Sequence, residues 1–167
     1  ESPYSVPKVA EEFPYILITG ARIPTFFQSE FRQLPKLRKG RKEPECELHP
    51  ETAKALGVKE GDWVSVETMR GKCRQKVKLF SGIDPRVVHA QHGWWFPEDN
   101  TTADHGIWDS NANTLTSIEA PYCSAMGTYQ LRALLCKVVK VELSEKPWTP
   151  KRNFAYQTNV NKVQEWT

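Results

Sequence analysis

The chain has 167 residues, 39% of them apolar and 26% charged, enough for one domain with its own core and too few for two. Its 23 basic and 20 acidic side chains leave a net charge of +3, too balanced to imply a nucleic-acid partner. No apolar run reaches the length needed to cross a bilayer, so direct membrane insertion is not expected. The four cysteines are widely spaced and form no CxxC pair, which argues against zinc or iron–sulfur ligation by this chain alone.

In chain order, residues 1–14 are rich in Pro and Glu, carry no periodic run and read as an arm or linker. Tyr15-Ile16-Leu17-Ile18-Thr19 is the first strand, apolar throughout and so expected to be covered on both faces. Thr19-Gly20-Ala21-Arg22 then joins a strand end, a flexible turn and a guanidinium, a set that suits an anion. Phe27 and Phe31 have helical spacing and read as core. The basic run Lys36, Arg38, Lys39, Arg41 and Lys42 lies in a proline-flanked loop over 35–45. It is either a solvated loop or a surface that meets phosphate or an acidic partner.

Cys46–Leu48 feeds a centrally placed module. Pro50 at a first helical turn, good helix formers at Ala53, Ala55 and Leu56, and Gly57 as a left-handed stop predict a short helix. His49 is not a preferred N-cap residue. Glu60-Gly61-Asp62 turns the chain; Trp63–Thr68 and Cys73–Leu79 alternate as strands around Arg70-Gly71. On the second of these strands Cys73, Gln75, Val77 and Leu79 share one face, and Arg74, Lys76 and Lys78 share a wet basic face. Val87–Gln91 is a further strand that ends in His92-Gly93-Trp94-Trp95-Phe96-Pro97. His89 and His92 are three apart and diverge in a strand, so no metal site is expected there. Trp94 and Trp95 either wall an apolar slot or cap the core. Asp99–Thr114 is polar and reads as one long loop. Leu134–Leu143 is the last strand, and 144–167 is a tail without a core pattern.

The order HPETAKALGVKEGDWVSVET, strand, HGWW, NANTL resembles the C-terminal molybdopterin-dinucleotide-binding domain of the DMSO-reductase-type molybdenum and tungsten oxidoreductases. The likeness runs from about Tyr15 to Leu143, and HGWWFPE and NANTLT sit nearest to acetylene hydratases and anaerobic dehydrogenases. It implies a mainly β fold, a six-stranded double-psi β-barrel of the aspartate-decarboxylase-like kind with short peripheral helices. It implies a cofactor-binding role in which Thr19, Gly20, Arg22, Gln28, Ser29, His92, Gly93, Trp94, Asn111, Asn113 and Gln130 approach the pterin dinucleotide. Relatives usually carry His-Ser where this chain has Gln28-Ser29; Gln keeps a donor and an acceptor but takes up no proton. The implied cofactor is a pair of molybdopterin guanine dinucleotides (bis-MGD) holding molybdenum or tungsten, shared with other domains of the same oxidoreductase, which are the expected partners. Any iron–sulfur cluster belongs to those domains. No catalytic residue and no metal ligand is expected in this chain, and the domain alone is not expected to turn over substrate.

The location expected is cytoplasmic, since Glu1-Ser2-Pro3 does not open as a leader, or periplasmic if the whole protein carries an export signal. The alternative function is a cofactor-free double-psi barrel acting as an adaptor. A self-processing enzyme of the aspartate-decarboxylase type is disfavoured, because the chain has no Gly-Ser dipeptide.

Overall fold

The computed structural model describes residues 7–20, 23–97, 104–116, 123, 125–129 and 134–141. Arg22 and Gln130, two of the expected cofactor contacts, lie outside the described residues, as do Leu143 and the tail from 144. The strands are β1 (Tyr15–Ile18), β2 (Glu45–Leu48), β3 (Trp63–Glu67), β4 (Lys72–Leu79), β5 (Val87–Ala90) and β6 (Leu134–Lys140). They close into a barrel in the order β1-β5-β2-β4-β3-β6. Two neighbouring pairs, β1 with β5 and β2 with β4, are parallel, and the other four are antiparallel. This is the double-psi barrel expected from the resemblance.

Alternation builds the core. Val64 and Val66 of β3, Cys73 and Val77 of β4, and Cys46 and Leu48 of β2 all point inward and are buried with Leu17, Val88 and Cys136. The three inward thiols are inert: burial pushes Cys46 and Cys73 far up and Cys136 to about 12. The outer face of β1 is also covered. Residues 7–12, expected as an arm, form helix α1 (Pro7–Glu12), whose Val9, with Phe13, packs on Ile16 and Leu135. No helix among the described residues is long and apolar enough to cross a membrane.

Three local expectations change. Helix α2 (Pro35–Arg38) interrupts the basic loop, with Pro35 at its first position. In α3 (Pro50–Ala55) the cap is His49 after all: its Nδ1 accepts the Glu51 N–H at 3.2 Å. Gly57 ends that helix at φ +68° as expected. Phe27 and Phe31 are not core residues, being 62% and 41% exposed, because residues 24–34 form turns rather than a helix.

The basic face of β4 is not simply wet. The register Glu45↔Lys76 and Glu47↔Lys78 sets the two lysines beside the carboxylates of β2. Lys78 Nζ lies 3.4 Å from Glu45 and 3.3 Å from Glu47, and Lys76 pairs with Glu43. Glu47 also meets the buried His89 of β5, with Oε2 2.9 Å from Nδ1. Burial pushes the Glu47 carboxyl up, but the contacts of His89 and Lys78 outweigh it and hold it below the usual carboxylate range. A depressed carboxylate contributes stability in full above its unfolded pKa of about 4.3, and that stability is lost as pH falls through the lower folded value. Glu47→Gln should therefore cost about 1 kcal/mol at pH 7 and flatten the loss of stability below about pH 4. Urea midpoints across that range check this; parallel curves for the two proteins would contradict it.

Candidate functional site

The parallel pairs decide which loops meet. Because β1 runs with β5 in the register Ile18↔His89, the chain leaves both strands on the same rim, at Thr19-Gly20 and at Gln91–Trp95. The antiparallel register Cys46↔Ala90 and the parallel register Cys46↔Val77 bring the N-terminal end of β4 to that rim as well. Four residues of the supposed long loop form helix α4 (Ile107–Ser110), followed by a 3-10 turn over Ala112–Leu115, and both pack on this end of β4. The described residues of the three loops therefore lie at one rim.

Side chains join the loops. Gln75, on the inward face of β4, is fully buried. Its Nε2 donates to the Gln91 carbonyl at 2.7 Å and the Ser110 carbonyl at 3.2 Å, and its Oε1 accepts the Gln91 N–H at 2.9 Å. One carboxamide thus ties β5 and α4 to β4. Asp109 of α4 is buried and ion-paired with Arg74 of β4, whose guanidinium also lies 5.1 Å from the Trp63 ring. Thr114 Oγ1 donates to the Lys72 carbonyl at 3.1 Å. At Gly71 only a hydrogen fits, since a Cβ there would stand 2.4 Å from the Thr114 carbonyl oxygen.

A second group of contacts holds residues 26–32 to the loop after β5. Arg32 is buried; its Nε donates to the Gly93 carbonyl at 2.8 Å, and its Nη2 to the carbonyls of Gln28 at 3.0 Å and His92 at 3.4 Å. Its guanidinium lies 4.5 Å from the Phe26 ring centre and 4.3 Å from that of Trp94. Trp95 Nε1 donates to the Ser29 carbonyl at 2.6 Å. Gly93, at φ +68°, makes the approach possible, because a Cβ would press on Ser29 N at 3.3 Å. The Phe96 N–H donates to the His105 carbonyl at 2.8 Å and so fixes the third loop to the second.

The individual residues divide by exposure. Gln28, Ser29, Gly20 and Asn113 are exposed, and Thr19, His92, Gly93 and Asn111 are half-buried. Asn111 Oδ1 accepts the Asn113 N–H at 2.9 Å, so this carbonyl stabilises the turn. Trp94 is fully buried among Arg32, Phe26 and Phe96 and does not form an open wall. Among the described residues, Gln91 Nε2, Trp94 Nε1 and Ser110 Oγ are buried polar atoms without a partner. These three belong to the same loops; Arg32 Nη1 and, on β4, Arg74 Nε are likewise without a partner, and buried polar atoms are normally satisfied.

Sequence reasoning did not single out Arg32, Arg74, Gln75, Gln91, Asp109 or Ser110. The available signal was Gln75 itself, a carboxamide on an otherwise apolar strand face.

The chain matches the family model described as "Molydopterin dinucleotide binding domain" over residues 15–133. Among curated proteins, it is 38% identical over 138 residues to the dopamine dehydroxylase of Eggerthella lenta, a match that takes 83% of this chain and 13% of that protein. It is 36% identical over 107 residues to the acetylene hydratase of Syntrophotalea acetylenica, covering 64% of this chain and 15% of that one. Among solved structures, acetylene hydratase from Pelobacter acetylenicus superposes with a TM-score of 0.78 at 31% identity, over 84% of this chain and 21% of that chain.

Breaking the buried pair by Asp109→Ala should cost about 3 kcal/mol, because it leaves the Arg74 guanidinium uncompensated. Adding Arg74→Met should recover part of that loss, and urea unfolding of the two single variants and the double variant measures it. Strictly additive losses would show that the pair does not hold α4 to the barrel.

Proposed function

This chain belongs to the molydopterin dinucleotide binding domain family, and from that premise we propose that its β1/β5/α4 rim covers and orients a molybdopterin guanine dinucleotide cofactor within a larger oxidoreductase. The chain spans 13–15% of the length of the curated relatives named above, so the parent enzyme's activity and partners are part of the proposal. The observation that carries the reading is the convergence of three loops on one rim through Gln75 and Arg32, with buried donors and acceptors left over.

That inventory fits the group. Pterin and guanine present amide-like edges of donors and acceptors, and Gln91, Ser110, Asn111, Asn113, Gln28 and Ser29 offer complementary groups. Thr19-Gly20 and His92-Gly93 supply backbone that a ligand can approach closely. Trp94 serves behind this layer, holding the loop that carries Gly93 against Arg32. Arg22 and Gln130 complete the proposed set. When bound, the metal held by the cofactor's dithiolenes supplies the redox chemistry; these residues bind, orient and exclude water. We further propose bis-MGD as the cofactor form, molybdenum or tungsten as its metal, the remaining domains of the same chain as partners, 15–143 as the domain bounds, and no turnover by this chain alone.

GMP, which carries the guanine end of the cofactor, is the available probe. Titrating it into the chain should shift the amide resonances of Thr19–Gly20, Gln91–Trp95 and Asn111–Asn113 and spare the opposite rim around Glu60 and Gly82. Shifts spread over the whole surface, or confined to the opposite rim, would contradict the proposal and favour the adaptor reading.

A further inference from the structure

We propose that residues 27–42 form a docking surface for the remainder of the oxidoreductase polypeptide, with Phe27, Phe31 and Leu34 as apolar anchors and Lys36, Lys39 and Lys42 as a basic margin that meets carboxylates. This rests on reading the chain as one part of a larger enzyme, and it names the surface that meets the rest.

The first observation is apolar exposure. Phe27 is 62% exposed, Phe31 41% and Leu34 43%, three large apolar side chains within eight residues. Single exposed apolar residues are ordinary, whereas a concentration of them marks an interaction site. The stretch is also ordered. The Glu30 N–H donates to the Phe27 carbonyl at 2.9 Å and the Leu34 N–H to the Phe31 carbonyl at 3.1 Å. Arg32 and the Trp95 indole fasten it to the loop after β5. Covering anchors that are already held costs little further ordering.

The second observation is the placement of charge. Residues 36–42 hold five cations and no carboxylate, which leaves 18 basic against 20 acidic side chains in the rest of the chain. The positive excess of the molecule is therefore confined to this segment. Arg41 is paired with Glu45, and Arg38 donates to the Lys42 carbonyl. Lys36, Lys39 and Lys42 are exposed and make no ion pair among the described residues.

An apolar centre with a charged margin is the composition of a protein interface, and such a margin selects a partner of opposite charge. An anionic bilayer would repel the exposed Glu30, which stands between Phe27 and Phe31. A chain that is slightly acidic elsewhere is a poor match for nucleic acid. A second copy would bring basic surface against basic surface. The occupant is another domain of the same polypeptide, because this chain takes up 13–15% of the length of its curated relatives and most of such a polypeptide lies outside it. Gln28 and Ser29 of this stretch also stand at the rim proposed to share a cofactor with those domains.

The test compares the 167-residue chain with the intact oxidoreductase that contains it, by hydroxyl-radical footprinting and by carbodiimide coupling, which joins a lysine to a carboxylate it touches. Oxidation of Phe27 and Phe31 should fall severalfold in the intact enzyme, and Lys36, Lys39 or Lys42 should couple to carboxylates outside the 167 residues. The triple variant Lys36→Glu, Lys39→Glu, Lys42→Glu should lose those couplings and raise the oxidation of both phenylalanines toward its level in the chain alone. Its lysines are exposed, so the barrel resonances of the isolated variant should be unchanged. Unchanged oxidation of Phe27 and Phe31 in the intact enzyme would overturn the docking surface, as would couplings confined to carboxylates of this chain. A dimer of the 167-residue chain joined through these lysines, or its retention on phosphatidylserine vesicles without protection in the intact enzyme, would overturn it by giving the surface to another occupant. A natural polypeptide no longer than these 167 residues would overturn it outright. The GMP titration keeps the two readings apart: rim shifts with unprotected phenylalanines leave the cofactor reading and remove the docking surface, whereas protected phenylalanines without rim shifts do the reverse.

Discussion

The rim depends on a single buried carboxamide. Gln75 points into the end of the barrel and bonds backbone of other segments with both ends of its amide. Each of those bonds replaces one with water, so the net gain is about 1 kcal/mol apiece, but leaving the Gln91 N–H buried and unpaired costs more. The consequence is positional: β5 cannot leave the barrel at Gln91, nor α4 approach at Ser110, except in one arrangement relative to β4. The loops that follow inherit that arrangement.

Around this fixed point the molecule separates charges by role. The outer wall of β2 and β4 is laced with matched pairs, the buried Arg74–Asp109 pair fastens α4, and Glu47 is shared between Lys78 and His89. These pairs belong to the scaffold and need no ligand. Among the described residues, buried atoms without a partner occur in Arg32, Gln91, Trp94 and Ser110 at the rim, and also at Arg74 Nε within the Arg74–Asp109 pair. The positive φ angles of Gln28 and Phe31 fall in the same neighbourhood.

Much of this was legible in the residues. Alternation in Trp63–Glu67 and Lys72–Leu79, the Pro50 and Gly57 punctuation of α3, and the strand ends at Thr19-Gly20 and His92-Gly93 are local signals, and local signals survive folding. The barrel order was not local; it came from resemblance, because nothing in the spacing of β1 and β5 says that they lie parallel. Phe27 and Phe31 misled because helical spacing presumes helical backbone, and a Gln and a Phe in left-handed conformations break the helix without the glycine that usually announces it. Arg32 and Asp109 were missed for a different reason. Their partners lie 61 and 35 residues away, and a buried charge in sequence looks like any surface charge. Helix α1 was overlooked because Val9 and Phe13 alone, four apart among Pro and Glu, are too few to define a face.

The central claim is that three chain-distant loops are fastened to one another on one rim, with or without a ligand. Interproton NOEs in the free chain test this directly, from the Trp95 indole N–H to Ser29, from the Gln75 side-chain amide to Ser110, and from Gly71 to Thr114. The account predicts all three, alongside the cross-strand contacts of the barrel. Intact strand contacts with the Gln75–Ser110 and Trp95–Ser29 contacts missing would show a barrel whose loops are independent, and would contradict it.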